Sequence, residues 1–199
     1  MLTRRTFLIL GAASAALLTG GLPAWAQAGD ATGFVRQLGD ELVAVVNGPG
    51  SVAEKRRRLD PLIEQSVDID AIGRFCLGRF WNSASPQQRQ EFQSLFHQVL
   101  LTNIAGKLGD FQGVRFAMTT TSQREGGTFV GTVISRPNQQ PNNVQWVVSN
   151  ASGQPRIIDV IAEGTSLRLT QRSDYAAFLS RNNNNVDALL NAMRRQTAG

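Results

Sequence analysis

Val114-Arg115-Phe116-Ala117-Met118-Thr119 alternates apolar and polar side chains. Immediately upstream, Phe92, Leu95, Phe96, Val99, Leu100, Ile104 and Leu108 recur at helical spacing. The change from a period near 3.6 to a period of two marks a helix giving way to a half-buried strand. Outward from that switch, Phe129 to Ile134 reads as a second strand after Glu125-Gly126-Gly127. Val144, Trp146 and Val148 form a third, and Ile157 to Ala162 a fourth. The connections are short, glycine-bearing at 125–127 and 151–153 and a Pro/Asn/Gln loop at 137–143, which makes neighbouring strands antiparallel.

Helices flank this meander. Ser85-Pro86-Gln87-Gln88 opens the long helix, predicted over 85–109, with a capping box and a proline at its first position. Before it, Phe34 to Val46 is periodic and stops at Gly48-Pro49-Gly50. Ser51-Val52-Ala53-Glu54 is a second capping box, and Pro61 should kink or split the helix it opens. Asp68-Ile69-Asp70 starts a short helix ending near Gly78. After the strands, Leu167 to Leu179 and Val186 to Met193 are helical again. The fold class is α+β: a curved antiparallel sheet of about four strands, covered by N- and C-terminal helices, with an apolar cavity between them.

Residues 1–26 read as a cleaved signal peptide and 27–199 as one α+β domain. Arg4 and Arg5 form a basic start, Phe7 to Leu22 is apolar, and Ala24-Trp25-Ala26 is a small–x–small cleavage site. The flank Thr3-Arg4-Arg5-Thr6-Phe7-Leu8 also resembles a twin-arginine signal, which leaves the export route open. Export places the mature chain in the periplasm. The 199 residues are 42% hydrophobic and 18% charged, as expected of a packed domain and not of a disordered chain. Losing Arg4 and Arg5 lowers the net charge from +5 to +3, and the remaining basic residues are scattered apart from Lys55-Arg56-Arg57-Arg58, read as a solvated helix face. Nucleic acid is therefore not an expected partner.

The single Cys76 and single His97 cannot supply a four-ligand zinc site. Cys76 reads as a small buried hydrophobe, and Asp68 and Asp70 as helix-start carboxylates, not metal ligands. Asp159, between Ile158 and Val160, points either to solvent or into a cavity as a general base. No glycine motif cradles a phosphate, and nothing in the residues makes a positive case for an enzyme or a cofactor.

Two blocks carry a resemblance. Gly73-Arg74-Phe75-Cys76-Leu77-Gly78-Arg79-Phe80-Trp81, with Ala84-Ser85-Pro86-Gln87-Gln88-Arg89 and Glu91-Phe92, resembles one conserved in MlaC-type proteins, the toluene-tolerance family. Ile158-Asp159-Val160-Ile161-Ala162-Glu163-Gly164-Thr165-Ser166-Leu167, then Thr170, Arg172 and Asp174-Tyr175, resembles that family's second block. Pro155 stands where the family usually has an aromatic residue. The resemblance implies a monomeric periplasmic phospholipid carrier with no catalysis. Its partners would be an inner-membrane ABC transporter complex with an MCE domain and an outer-membrane lipoprotein complex. The tails would lie against Phe75, Phe80, Phe92, Phe96, Val99, Leu100, Phe116, Phe129, Val133, Trp146, Val148 and Val160, with Arg79 and Arg172 near the headgroup. One tail of about 16 carbons costs roughly 13 kcal/mol to expose to water, so a carrier must replace nearly all its apolar contacts. The alternatives are a cavity enzyme of the NTF2-like kind, using Asp159, a hopanoid-associated relative, and a ligand-free periplasmic adaptor.

Overall fold

A computed structural model describes residues 24–109 and 112–197. Five helices precede the strands: α1 (Ala24–Asn47), α2 (Val52–Ser66), α3 (Ile69–Leu77), the one-turn α4 (Phe80–Ser83) and α5 (Pro86–Gly109). Then come β1 (Arg115–Arg124), β2 (Gly127–Ser135), β3 (Asn142–Ser149), β4 (Arg156–Ala162), β5 (Thr165–Ser166), α6 (Leu167–Arg181) and α7 (Val186–Thr197). The strands form one open antiparallel sheet in the order β1-β2-β3-β4-β5. Most of the leader predicted over 1–26 lies outside the described residues; 24–26 form the first residues of α1.

Both predicted capping boxes are present. Glu54 N–H donates to Ser51 Oγ while Ser51 N–H donates to the Glu54 carboxylate. Gln88 N–H donates to Ser85 Oγ (3.1 Å), and Ser85 N–H to Gln88 Oε1 (2.9 Å). Asp68 caps α3 through Ala71 N–H, and Gly78 ends it at φ +58°, a conformation that favours glycine. Pro61 does not split α2, which runs through it. Pro61 and Arg57, four residues earlier, are both exposed, so water can reach the carbonyl that loses its donor. Lys55 is no part of a solvated face either: it is buried and its Nζ donates to Val46 O (2.7 Å), closing the end of α1.

The sheet has a fifth strand beyond the four expected. Glu163 and Gly164 both take positive φ, making a turn tight enough for two residues to pair back on β4. A bulge in β1 sets Thr119 and Thr120 against Gly131, where an added Cβ would fall 2.5 Å from Thr119 Oγ1. A second bulge sets Ile158 outside the β3–β4 register, so that Val148 faces Ile157 while Val147 faces Asp159.

The apolar interior is divided. Helices α3–α7 close around Leu77, Phe92, Phe96, Val99, Leu179 and Leu190. A second cluster joins the end of α1, α2 and α5 through Val46, Leu59, Ile63 and Ala105. A third lies between α1 and the sheet, with Ala31, Val35, Val130 and Val148 at its centre.

Candidate functional site: an apolar wall on the sheet under α1

Alternate residues of a strand share a face. One face therefore carries Phe116 and Met118 of β1, Val130 and Thr132 of β2, Val144, Trp146 and Val148 of β3, and Val160 of β4, which pairs with Trp146. Helix α1 crosses this wall with Ala31, Phe34 and Val35. Gly39 brings the helix close, since a Cβ there would lie 2.3 Å from the Phe116 ring. The Phe116 and Trp146 rings stand 6.3 Å apart. Phe34, Phe116, Met118 and Trp146 are only partly buried, around a fully buried centre of Ala31, Val35, Val130 and Val148.

The wall's polar atoms satisfy one another. Trp146 Nε1–H donates to Thr132 Oγ1 (2.9 Å), and the Thr132 hydroxyl donates to Val144 O (3.1 Å). A buried hydroxyl or indole N–H without a partner would penalise an apolar occupant; here neither is left unpaired. At its far end α1 is anchored by polar bonds: Asn47 exchanges two hydrogen bonds with the Val114 backbone. Over the wall, the contacts are chiefly apolar, joined by a Thr32–Thr121 hydroxyl bond (2.9 Å).

The predicted tail-lining residues fall into three places. Phe116, Trp146 and Val148 are on the wall, and Val160 is next to Trp146. Phe80, Phe92, Phe96 and Val99 are buried in the helical cluster, with Phe75 and Leu100 packed at its margin. There Phe92 stacks on Phe96 (5.7 Å) and meets Tyr175 edge-on (5.9 Å). Phe129 and Val133 occupy the opposite sheet face, where the Arg124 guanidinium lies 4.8 Å over the Phe129 ring. Arg79 lies 4.8 Å over Phe80, and Arg172 4.9 Å over Phe75. Phe34, Met118 and Thr132 belong to the wall and were missed by the sequence reading; the alternation Thr128-x-Val130-x-Thr132 was the available signal.

Asp159 faces neither solvent nor a cavity. It is 5% exposed, and its carboxylate accepts from Val160 N–H (2.8 Å), Arg168 N–H (3.1 Å) and Ser166 Oγ–H (2.6 Å), with Arg168 Nε 3.4 Å away. It ties the start of α6 to β4, so both readings of it from sequence are corrected. Cys76 is buried, and burial, reinforced by Asp159, pushes its thiol up to about 12. Its Sγ–H points to Arg168 O at 3.5 Å. Burial likewise raises the Tyr175 phenol.

A separate cleft of about 440 Å³ lies where the end of α2, α3 and α5 meet the β3–β4 turn, lined by Glu64, Asp68, Asp70, His97, Gln154 and Arg156. His97 Nε2 pairs with Glu64 at 3.1 Å, both half-exposed, and Arg156 donates to Glu64 O (2.8 Å) at the end of α2. Among the described residues, no group of three or more His, Cys, Asp or Glu side chains is placed to hold a metal.

An α+β domain with an apolar sheet face under one long helix, and its carboxylate and thiol taken up by the scaffold, has the form of a binding protein. The profile of the MlaC protein family matches residues 36–195, and the chain belongs to that family. A Pseudomonas putida relative, the toluene tolerance protein ttg2D, is 22% identical over 142 residues, spanning 70% of this chain and 66% of that one. The fold is shared with a phospholipid-binding protein from Ralstonia solanacearum solved in complex with a phospholipid. The TM-score is 0.74 at 22% identity, covering 85% of this chain and 97% of that one.

Proposed function

We propose that this protein is a periplasmic phospholipid carrier that moves lipid between the outer and inner membranes as part of an Mla-type ABC transport system. Its docking partners would be an inner-membrane complex with an MCE domain and an outer-membrane lipoprotein complex. The observation that carries the reading is the wall of Phe116, Met118, Trp146 and Val148, whose polar atoms are paired among themselves. Such a surface suits acyl chains, which need apolar contact and offer no hydrogen bonds. Helix α1 is the cover that must give way; it is anchored at Asn47 by hydrogen bonds and held over the wall chiefly by apolar contacts. Val160 extends the wall beside Trp146. Of the remaining candidates, Phe75 and Leu100 are the partly buried ones at the margin of the helical core, and Arg79 and Arg172 take the headgroup role.

Native mass spectrometry of the mature protein, purified from periplasm without detergent, tests this reading, with the extracted lipid analysed in parallel. A stoichiometric adduct of phospholipid mass is expected. A hopanoid adduct would move the protein to that neighbouring group. A clean apo mass with no uptake from liposomes would leave a ligand-free adaptor. The enzyme alternative loses its base, because both oxygens of Asp159 are engaged in holding α6.

A further inference from the structure

Five arginines surround the α3–α4 corner with their guanidinium groups over aromatic rings, one of them, Arg89, 5.6 Å from Trp81 and tied to its carbonyl. Arg168 and Arg172 cover Phe75 from 4.5 and 4.9 Å, Arg79 covers Phe80 from 4.8 Å, and Arg74 covers Trp81 from 4.9 Å. Arg172 also lies against Gly78, whose added Cβ would fall 3.1 Å from its Nε, which places it beside Arg79. Only Arg168 has a carboxylate partner, Asp159; among the described residues Arg74, Arg79 and Arg172 have none. Next to them the first turn of α6 exposes Leu167 (51%) and Leu169 (53%).

We infer that this corner is where the protein meets the surface of an anionic bilayer, entering it end-on with the first turn of α6. Leu167 and Leu169 project about 200° apart around the helix, so they form no single knob for a protein pocket. Along the axis they lie within about 3 Å of each other, at the same depth for an end-on approach. Arg172 follows about 7.5 Å beyond Leu167 and about 4.5 Å beyond Leu169. That spacing matches an interface in which apolar side chains sink roughly 5–10 Å while basic groups stay with the phosphates. Lying over rings restrains the guanidinium groups in advance, and Arg74, Arg79 and Arg172, with no carboxylate partner among the described residues, suit bidentate bonds to phosphate oxygens. The inference rests on the lipid-carrier reading, for which it names the place of contact with the membrane.

Flotation of the mature protein with vesicles tests it. Vesicles of equal phosphatidylglycerol and phosphatidylcholine should carry the protein at low salt, and pure phosphatidylcholine should not. Arg79→Gln with Arg172→Gln should weaken the anionic binding by about fivefold per arginine. Leu167→Ser with Leu169→Ser should weaken it about tenfold or more, because two exposed leucines no longer enter the interface. The leucine variant should keep its melting temperature and its lipid adduct. Equal binding to both vesicles, no binding to either, or anionic binding indifferent to the leucine pair would each overturn the inference. Capture by an acidic protein without vesicle binding would overturn it too. A protein that floats as expected yet carries no lipid adduct would sink the carrier reading alone.

Discussion

The helical half and the sheet half present the same kinds of residue in different states of closure. In the helical half, Phe92 and Leu179 are fully buried and Phe96 nearly so, with Tyr175 set edge-on against both phenylalanines. The helical half leaves partly covered aromatics only at its margin, Phe75, Trp81 and Phe178, whereas in the sheet half Val130 and Val148 are buried and every aromatic of the cluster, Phe34, Phe116 and Trp146, is partly covered. Aromatic side chains that fill a core contribute stability; those left partly covered under one helix contribute less of it and keep some apolar surface exposed. The difference lies in what packs across from each residue, not in its type.

The largest effect that can break this contrast is a truncation in the closed half. Phe92→Ala should destabilise the fold by about 3–5 kcal/mol in a denaturant titration, because the site is walled by rings and helices that cannot collapse into the space. A loss below about 1 kcal/mol would mean that the helical half is loosely packed too. The joint between the halves comes next. Asp159→Ala leaves two backbone N–H groups and the Ser166 hydroxyl without their acceptor and should cost about 2–3 kcal/mol, with faster hydrogen exchange at the start of α6.

Alkaline pH sharpens the contrast from another side. Cys76 and Tyr175 both belong to the helical half, and burial raises both above their ordinary values. A raised acid favours its neutral form in the folded state. The stability it contributes is therefore complete below its unfolded value, near 9 for the thiol, and is lost as pH rises toward about 12. Denaturation midpoints should fall over that window, and Cys76→Ala should remove part of the fall. In the same terms the thiol should resist disulfide-exchange reagents at pH 8 until the protein unfolds. The smallest stability effect belongs to the wall. Val160→Arg, at a partly buried strand position, should shift the unfolding free energy by about 1 kcal/mol or less while removing the lipid adduct seen by native mass spectrometry. Retained lipid in a folded variant would take Val160 out of the site.

Much of the architecture was legible because it is local. The capping boxes at Ser51 and Ser85 satisfy the first-turn donors with residues three positions away, so their letters suffice. The change of period at Val114 and the short connections, two of them glycine-bearing, gave four strands in their correct order. The fifth was too short to show an alternation. The bulge at Ile158 was hidden for a related reason: one extra residue leaves the neighbouring apolar letters unchanged while turning Asp159 toward α6. The site was legible only in part. The stripe of α5 and the alternation of β3 are both apolar patterns, and neither says what lies opposite. Phe92, Phe96 and Val99 therefore looked as suitable for a tail as Trp146 and Val148 did, and Phe129 and Val133 lay one pleat away from the wall. Gly39 gave no sign of its part, since it matters for a missing atom; the alternation of β2 could place Thr132 on the wall but not show its hydrogen bond across strands.

The ends of the sheet differ in how they are finished. The outer side of β4 is occupied at one end by β5 and at the other by a bridge from Val67 to Ile157. β1 has a strand on one side only, and it carries a bulge between Met118 and Thr121, three consecutive threonines, and Arg115 and Arg124 at its tips. A bent, polar margin with a cation at each tip is a poor template for another copy to zip against. The partly covered apolar wall thus lies in a sheet whose free margin offers another copy no straight template.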